Sequence, residues 1–250
     1  MTNPTAAMLV IGDEILSGRT REANLGYLAT ALTRAGINLT EGRVIPDDHE
    51  MIVSALNDLR ARYDHVFTSG GIGPTHDDIT ADAVAAAFGV GIAVRDDARA
   101  MLEAGYAERG ERINEARLRM ARIPDGASLI VTRMSSAPGF TLANVHVMAG
   151  VPGIFAAMVD VVVPTLDSGL PVVSRELRFD VGEGRIARPL GNLAVEFPAV
   201  ALGSYPFFAE GVHGTNIVAR GTDPELVEQV YARLEELRAS LGAVPRSSRH

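Results

Sequence analysis

The chain has 250 residues, is 47% hydrophobic, carries a formal net charge of -8 and contains no cysteine. That length suits one large domain or two modest ones, and the missing cysteine excludes a disulfide framework, a thiolate nucleophile and a Cys-ligated metal. The acidic balance argues against a broad basic face for nucleic acid, but backbone N–H groups and a metal ion can still hold a phosphate ligand.

The N-terminus, MTNPTAAMLVIGDE, lacks a basic n-region and a long apolar core, so no signal peptide is expected. Met8 to Gly12 (MLVIG) reads as a buried strand of a parallel sheet. Asn24 to Ala35 has helical spacing, with Leu25, Leu28, Ala29 and Leu32 on one face and Gly36 as the stop. Ile37 to Ile45 reads as a second strand, broken by Pro46-Asp47-Asp48, where Asp48 can cap a helix running to Arg62. HVFTSGG ends a third strand at a glycine loop, and Ile79 to Phe88 is a helix stopped by Gly89. Asp96 to Gly110 and Ile113 to Ile123 read as helices, Ser128 to Thr132 and Asn144 to Met148 as strands, and GVPGIFAAMVDVVV as turn and then helix. The longest apolar run, Ile154 to Leu166, is interrupted by Asp160 and Pro164 and falls short of the ~20 residues of a membrane span. A soluble, cytoplasmic protein is therefore expected.

Strand–helix alternation predicts a doubly wound, mostly parallel α/β sheet. A linker at Ser168 to Pro171 divides a domain at 1–168 from one at 169–250. The second part reads as a small α+β domain: a strand at SRELRFDVG, a partly helical Gly184 to Phe197, a strand at HGTNIVARG, and a helix starting near Asp223-Pro224-Glu225. The tail VPRSSRH is expected to be loose.

In doubly wound sheets, ligands sit beyond the carboxyl ends of the strands. Three such ends carry unusual clusters: Gly12-Asp13-Glu14, Pro46-Asp47-Asp48, and SGGIGPTHDD from Ser69 to Asp78. Gly70, Gly71 and Gly73 permit positive φ and close approach of a ligand to the backbone. Pro74 stiffens the exit, and Asp77 or Asp78 can cap the following helix. Such a loop is either a plain tight turn with a cap or a phosphate cradle. Carboxylates beside a phosphate repel it, and a hard cation such as Mg2+ removes the conflict. Three acid pairs, each at a strand end, therefore point to a metal–phosphate site. No GK[ST] follows the glycines, the first strand gives GDEILSG rather than GxGxxG, and Ser69 and His76 lack a GxSxG context. The six histidines (His49, His65, His76, His146, His213 and His250) are scattered, which argues against zinc. Arg109, Arg112, Arg117 and Arg119 read as a solvated helix face, although one of them could reach a diphosphate from a neighbouring subunit.

IGDEILSGRTREANLGYLATAL, RVIPDDHEMI and TSGGIGPTHDDITADAVAAAFG together resemble the molybdopterin-binding domain of the MoaB/MogA type, most closely its CinA branch (competence/damage-inducible protein A). NEARLRMARIPDGASLI, SAPGF and AGVPGIFAAM fit that branch as well, and the resemblance covers about Ala6 to Leu166. Val172 to about Leu241 is similar to the small KH-like domain that follows in CinA proteins.

The resemblance implies an α/β/α domain with a pterin phosphate or nucleotide diphosphate at the glycine loop. It implies Asp47 and Asp78 as ligands of a divalent ion (Mg2+, Mn2+ or Co2+), and Gly70, Gly71 and Gly73, with Ser69, Pro74 and Thr75, around the phosphate. Gly12, Asp13, Glu14 and Asn24 match further site positions. Asp47, Asp78 and Asp77 are the catalytic candidates. Three chemistries follow: hydrolysis of an ADP-ribose- or FAD-type diphosphate, adenylyl transfer to molybdopterin, and ligand binding without catalysis. MogA members usually carry Arg where this chain has Asp77, and the more acidic pocket favours hydrolysis. Ala149-Gly150 replaces the Leu-Pro that often precedes GVP in CinA members. The C-terminal amidase domain of full CinA proteins, and its activity, are expected to be absent. A homo-oligomer is implied; RNA binding is not, since VGEGR (Val181 to Arg185) lacks a GxxG clamp with flanking basic residues.

Overall fold

TAAMLVI is apolar along almost its whole length, so both faces of its strand can be covered, and the strand sits inside the sheet rather than at its edge. In the computed structural model, which describes residues 3–209 and 211–242, β1 (Thr5–Ile11) pairs in parallel with β2 (Asn38–Ile45) and β3 (His65–Ser69). Between them run a single turn, α1 (Asp13–Leu16), and helices α2 (Asn24–Arg34) and α3 (His49–Arg62). α4 (Thr80–Phe88), β4 (Ile92–Val94), α5 (Asp96–Glu108), α6 (Glu115–Leu118) and β5 (Arg122–Pro124) follow, with β4 and β5 forming a separate antiparallel pair. β6 (Ser128–Ile130), β7 (Gly139–Leu142) and β8 (Val145–Met148) complete the main sheet before α7 (Pro152–Val162). The strand order is β2-β1-β3-β8-β7-β6, with β8 parallel to β3 and the last two strands antiparallel.

Alternation along β1 divides the core. Ala7, Leu9 and Ile11 pack with Ile52 and Leu56 of α3 and Val84 of α4. Ala6, Met8 and Val10 pack with Leu28 and Leu32 of α2 and Phe155 and Met158 of α7. Each of the larger of these side chains contributes roughly 1.5–3 kcal/mol on burial, and helices are thereby clamped on both faces. This is the mostly parallel α/β sheet that the alternation predicts, in the three layers that the resemblance implies. The chain leaves β1 over one face through α2 to reach β2, then returns over the other face through α3 to reach β3. The strand ends of β1 and β3 therefore flank the point where the winding reverses, which is where such sheets open a crevice.

Several expectations need correction. Ile113 to Ile123 is not one helix: α6 is a single turn capped by Asn114, Arg119–Ala121 is a 3₁₀ turn, and β5 follows. Pro124 and the pairing of β5 with β4 stop a longer helix. β7 was not expected; it is only four residues long, and its glycine start disguises it.

The second unit, Pro171–His250, is an antiparallel α+β unit. β9 (Val173–Phe179), α8 (Glu183–Glu196), β10 (Ala201–Ala209), β11 (Val212–Gly221) and α9 (Pro224–Gly242) form a three-stranded sheet in the order β10-β11-β9, with two helices. Leu177, Phe179, Ile186, Ile217, Val230 and Leu234 build its core. Asp223 Oδ1 accepts from the N–H groups of Glu225 and Leu226, which fixes the start of α9. β10 is absent from the sequence reading because Gly203 and Pro206 interrupt it; as an edge strand it tolerates the proline. VPRSSRH lies outside the described residues. Among the described residues, no helix is long and apolar enough to cross a membrane.

Candidate functional site

The ends of β1 and β2 are tied directly. The Gly12 N–H donates to Ile45 O at 3.1 Å, and the Asp13 N–H donates to the Asp47 carboxylate at 2.9 Å. Asp48 turns the other way: its Oδ1 accepts from the Met51 N–H at 2.9 Å and caps α3. Of two adjacent aspartates, one thus starts a helix and the other is left at the strand end.

The end of β3 continues into the glycine loop. Gly70 and Gly71 have φ of 107° and 68°, conformations that exclude most side chains. A Cβ at Gly70 would collide with Ile11 O, and one at Gly71 with Thr80 Oγ1. Thr80, fully buried, pins the loop through its hydroxyl to Gly70 O and its N–H to Gly71 O, both at 3.0 Å. Neither Asp77 nor Asp78 caps α4, contrary to expectation; Ile79 holds that position without a side-chain bond. Asp78 instead folds back, accepting from both the N–H and the hydroxyl of Thr75. Three residues of spacing let this short side chain close its own turn, which outcompetes capping.

These ends line one open cleft of about 560 Å3. Glu14, Asp47, Gly70, Gly71, Gly73, Pro74, Asp77 and Asp78 line it directly. The other expected site residues sit behind that wall. Asn24 is buried, and its amide donates to Ser69 Oγ and to Gly150 O, both at 2.8 Å, joining α2, β3 and the β8–α7 loop. Gly12 and Asp13 hold the β1–β2 end, and Thr75 holds Asp78.

The apolar part of the lining was largely missed. Ile11, Ile72, Met120, Ala137 and Ile154 form it, with Ser135 and the Ala149–Pro152 turn beside them. Only the Gly and Pro of SAPGF and AGVPG hinted at turns there. Arg119 also departs from the solvated face assigned to it. The break after α6 leaves it half-buried near the glycine loop, with Nη2 3.3 Å from Asp78 O.

Electrostatics single out Asp47. Burial raises its pKa above the ordinary carboxylate value, the Asp13 N–H opposes that shift, and the charges of Glu14, Asp13 and Asp77 add to it. Among the described residues, no arginine, lysine or histidine lines the same cleft. No group of three or more His, Cys, Asp or Glu among the described residues is gathered closely enough to cage a metal ion. The donor set still suits a hard cation that keeps water and phosphate oxygens in its shell and takes one or two carboxylates from the protein. The histidines are elsewhere: His146 is buried between Phe67 and His65, and burial pushes its pKa down to about 3, so it is a neutral core residue.

The fold and the cleft define the class: a three-layer α/β domain with a glycine-loop cleft beyond its strand ends, followed by a small α+β unit. Residues 7–168 match the family described as probable molybdopterin binding domain, and residues 171–245 match the FAD synthase middle domain. The chain belongs to the molybdopterin-binding domain family.

It is similar to a CinA-like protein of Citrifermentans bemidjiense, 35% identical over 243 residues, covering 92% of this chain and 57% of that protein. It is also similar to a probable FAD synthase of Caenorhabditis elegans, 32% identical over 262 residues, covering 94% of this chain and 50% of that protein. The chain thus spans about half the length of these relatives. Among solved structures, it resembles the protein CinA of unknown function from Thermoplasma acidophilum. That likeness has a TM-score of 0.58 and 31% identity, over 64% of this chain and 96% of the other.

Proposed function

We propose that the cleft hydrolyses the phosphoanhydride of a nucleotide diphosphate of the ADP-ribose or FAD type, with a divalent cation held by Asp47 and Asp78. One observation carries this reading. Carboxylates from three strand ends share a cleft with a glycine loop, and no basic residue of the described chain lines it. A diphosphate enters such a cleft only with a cation. The cation, when bound, neutralises the diphosphate and provides Lewis acidity at the anhydride.

The chain's own groups have distinct tasks. Gly71 to Gly73 offer backbone N–H groups to the phosphate that is not attacked, while the Gly70 N–H donates to Met148 O at 3.1 Å and holds the loop to the sheet. Thr75 occupies Asp78 Oδ2 and so leaves Oδ1 for the cation. Glu14 and Asp77, which line the cleft, are the available proton acceptors for the attacking water. Ile11, Ile72, Met120 and Ile154 offer an apolar wall to the organic part of the ligand. Water adds to one phosphorus as the anhydride P–O bond breaks, so ADP-ribose gives AMP and ribose 5-phosphate, and FAD gives AMP and FMN.

The similarity to a probable FAD synthase supports a flavin or adenine nucleotide ligand. The family description supports a molybdopterin ligand, and adenylyl transfer to it at the same cleft is the second reading. Phosphorus NMR with ADP-ribose and FAD, each with Mg2+, Mn2+ or Co2+, separates these. Metal-dependent AMP that disappears in Asp78→Ala is the expected result. No turnover with any metal would overturn hydrolysis, and molybdopterin binding would then be measured.

A further inference from the structure

We infer that Arg119 is the positioning cation of the cleft, supplying positive charge behind the glycine loop to the bound diphosphate. The inference rests on the reading of the cleft as a diphosphate site.

The chain has no lysine, so arginine carries all of its permanent side-chain positive charge. Most arginines near the cleft are committed. Arg122 forms an ion pair with Asp82 at 2.6 Å. Arg117 pairs with Glu111 at 2.5 Å and stacks on Tyr106, 4.2 Å from the ring centre. Arg109 also lies over the Tyr106 ring, 4.5 Å from its centre.

Arg119 differs. It has no carboxylate partner among the described residues, and its Nε is buried without any hydrogen-bond partner. Its one bond, from Nη2 to Asp78 O, is long at 3.3 Å. A guanidinium has five N–H donors, and leaving buried donors unused is costly. The residue lines a recess with Gly71, Ile72, Gly73 and Asp78, all four of which also line the main cleft. That recess has room of only about 10 Å3, roughly one water, so a phosphate does not enter it. A ligand in the main cleft is separated from Arg119 by the loop residues that the two spaces share, and Arg119 acts on it across that loop and through the Asp78 carbonyl it holds. The arrangement balances the site, because the carboxylates bind the cation while Arg119 favours the phosphates that accompany it.

The test separates charge from packing. Isothermal titration would measure α,β-methylene-ADP, a hydrolysis-resistant diphosphate, binding to the whole protein with Mg2+. Arg119→Gln keeps a donor for Asp78 O and loses the charge; Arg119→Lys keeps the charge. The Gln variant should bind about tenfold to a hundredfold more weakly, the range for a lost charge-assisted interaction. Its binding should also depend less on salt, while Tm stays unchanged and Mn2+ binding without nucleotide does not weaken. The Lys variant should recover most of the loss. Arg119→Met, which keeps the apolar stem, replaces the Gln variant if that one folds poorly. Wild-type affinity in the Gln or Met variant would overturn the inference, as would a Lys variant as weak as the uncharged ones. No binding by the wild-type protein would overturn the diphosphate reading itself.

Discussion

Strand β2 carries two acidic groups that the molecule treats in opposite ways. Glu41, in the strand, is surrounded by Arg43, Arg62 and the Tyr63 hydroxyl, and Asp58 of α3 pairs with the same arginines. The Arg43 hydrogen bond, reinforced by Tyr63, holds the Glu41 carboxyl below its ordinary pKa; Asp58 is lowered by Arg43 as well. Asp47, just beyond the end of the same strand, is moved up in pKa by burial first, with the charges of Glu14, Asp13 and Asp77 adding to it. The first cluster is a solved electrostatic problem on the surface. The second is left for a ligand to solve, the arrangement expected of a functional site.

That contrast can be broken most sharply by activity. Asp47→Asn and Asp78→Asn should each lower metal-dependent diphosphate hydrolysis by at least about a hundredfold, whereas Glu41→Gln should leave it unchanged. Initial rates at saturating metal would check this, and equal losses in all three variants would erase the distinction.

Next in size is the loop. Gly71→Ala places a side chain at φ 68° and against Thr80 Oγ1. It should cost at least about 2 kcal/mol, read as a drop of several degrees in Tm, together with lost ligand binding. Tolerance of alanine there would mean that the loop relaxes freely and is not a fixed cradle.

The smallest effects concern stability and pH. Because the folded pKa of Asp47 is raised, its contribution to stability is full below the ordinary Asp value, about 4, and is lost as pH rises through the folded value. Asp47→Asn should therefore raise Tm at pH 7, by about 1–3 °C, while activity falls. For Glu41 the sign reverses: its contribution is present above the ordinary carboxylate range and is lost as pH falls through the depressed folded value. Glu41→Gln should cost less than about 1 kcal/mol at pH 7, as surface pairs do. Thermal melts from pH 3 to 8 would show the two variants departing from wild type in opposite directions.

Much of this was legible in the sequence, and the reasons are local. Gly12, Pro46 and Gly70 stop apolar runs, so strand ends, and the acids beside them, can be read from neighbouring residues alone. Asp48 as the cap of α3 was legible as well; the roles of Asp77 and Asp78 were not. Asp48 caps α3 while Asp78 closes its own turn with Thr75, and the choice depends on where the next N–H groups fall. The apolar wall at Met120, Ala137 and Ile154 comes from segments far apart in the chain, and only the completed sheet unites them. Arg119 was misread because helical spacing was extended through a segment that β5 pulls into extended form.

The most direct test of the central claim is Mn2+ binding to the whole protein, followed by electron paramagnetic resonance with and without α,β-methylene-ADP. An Asp47–Asp78 cleft that takes cation and diphosphate together should bind Mn2+ more tightly when the nucleotide is present, and Asp47→Asn should abolish that coupling. Mn2+ affinity that ignores the nucleotide, or coupling that survives in Asp47→Asn, would contradict the account.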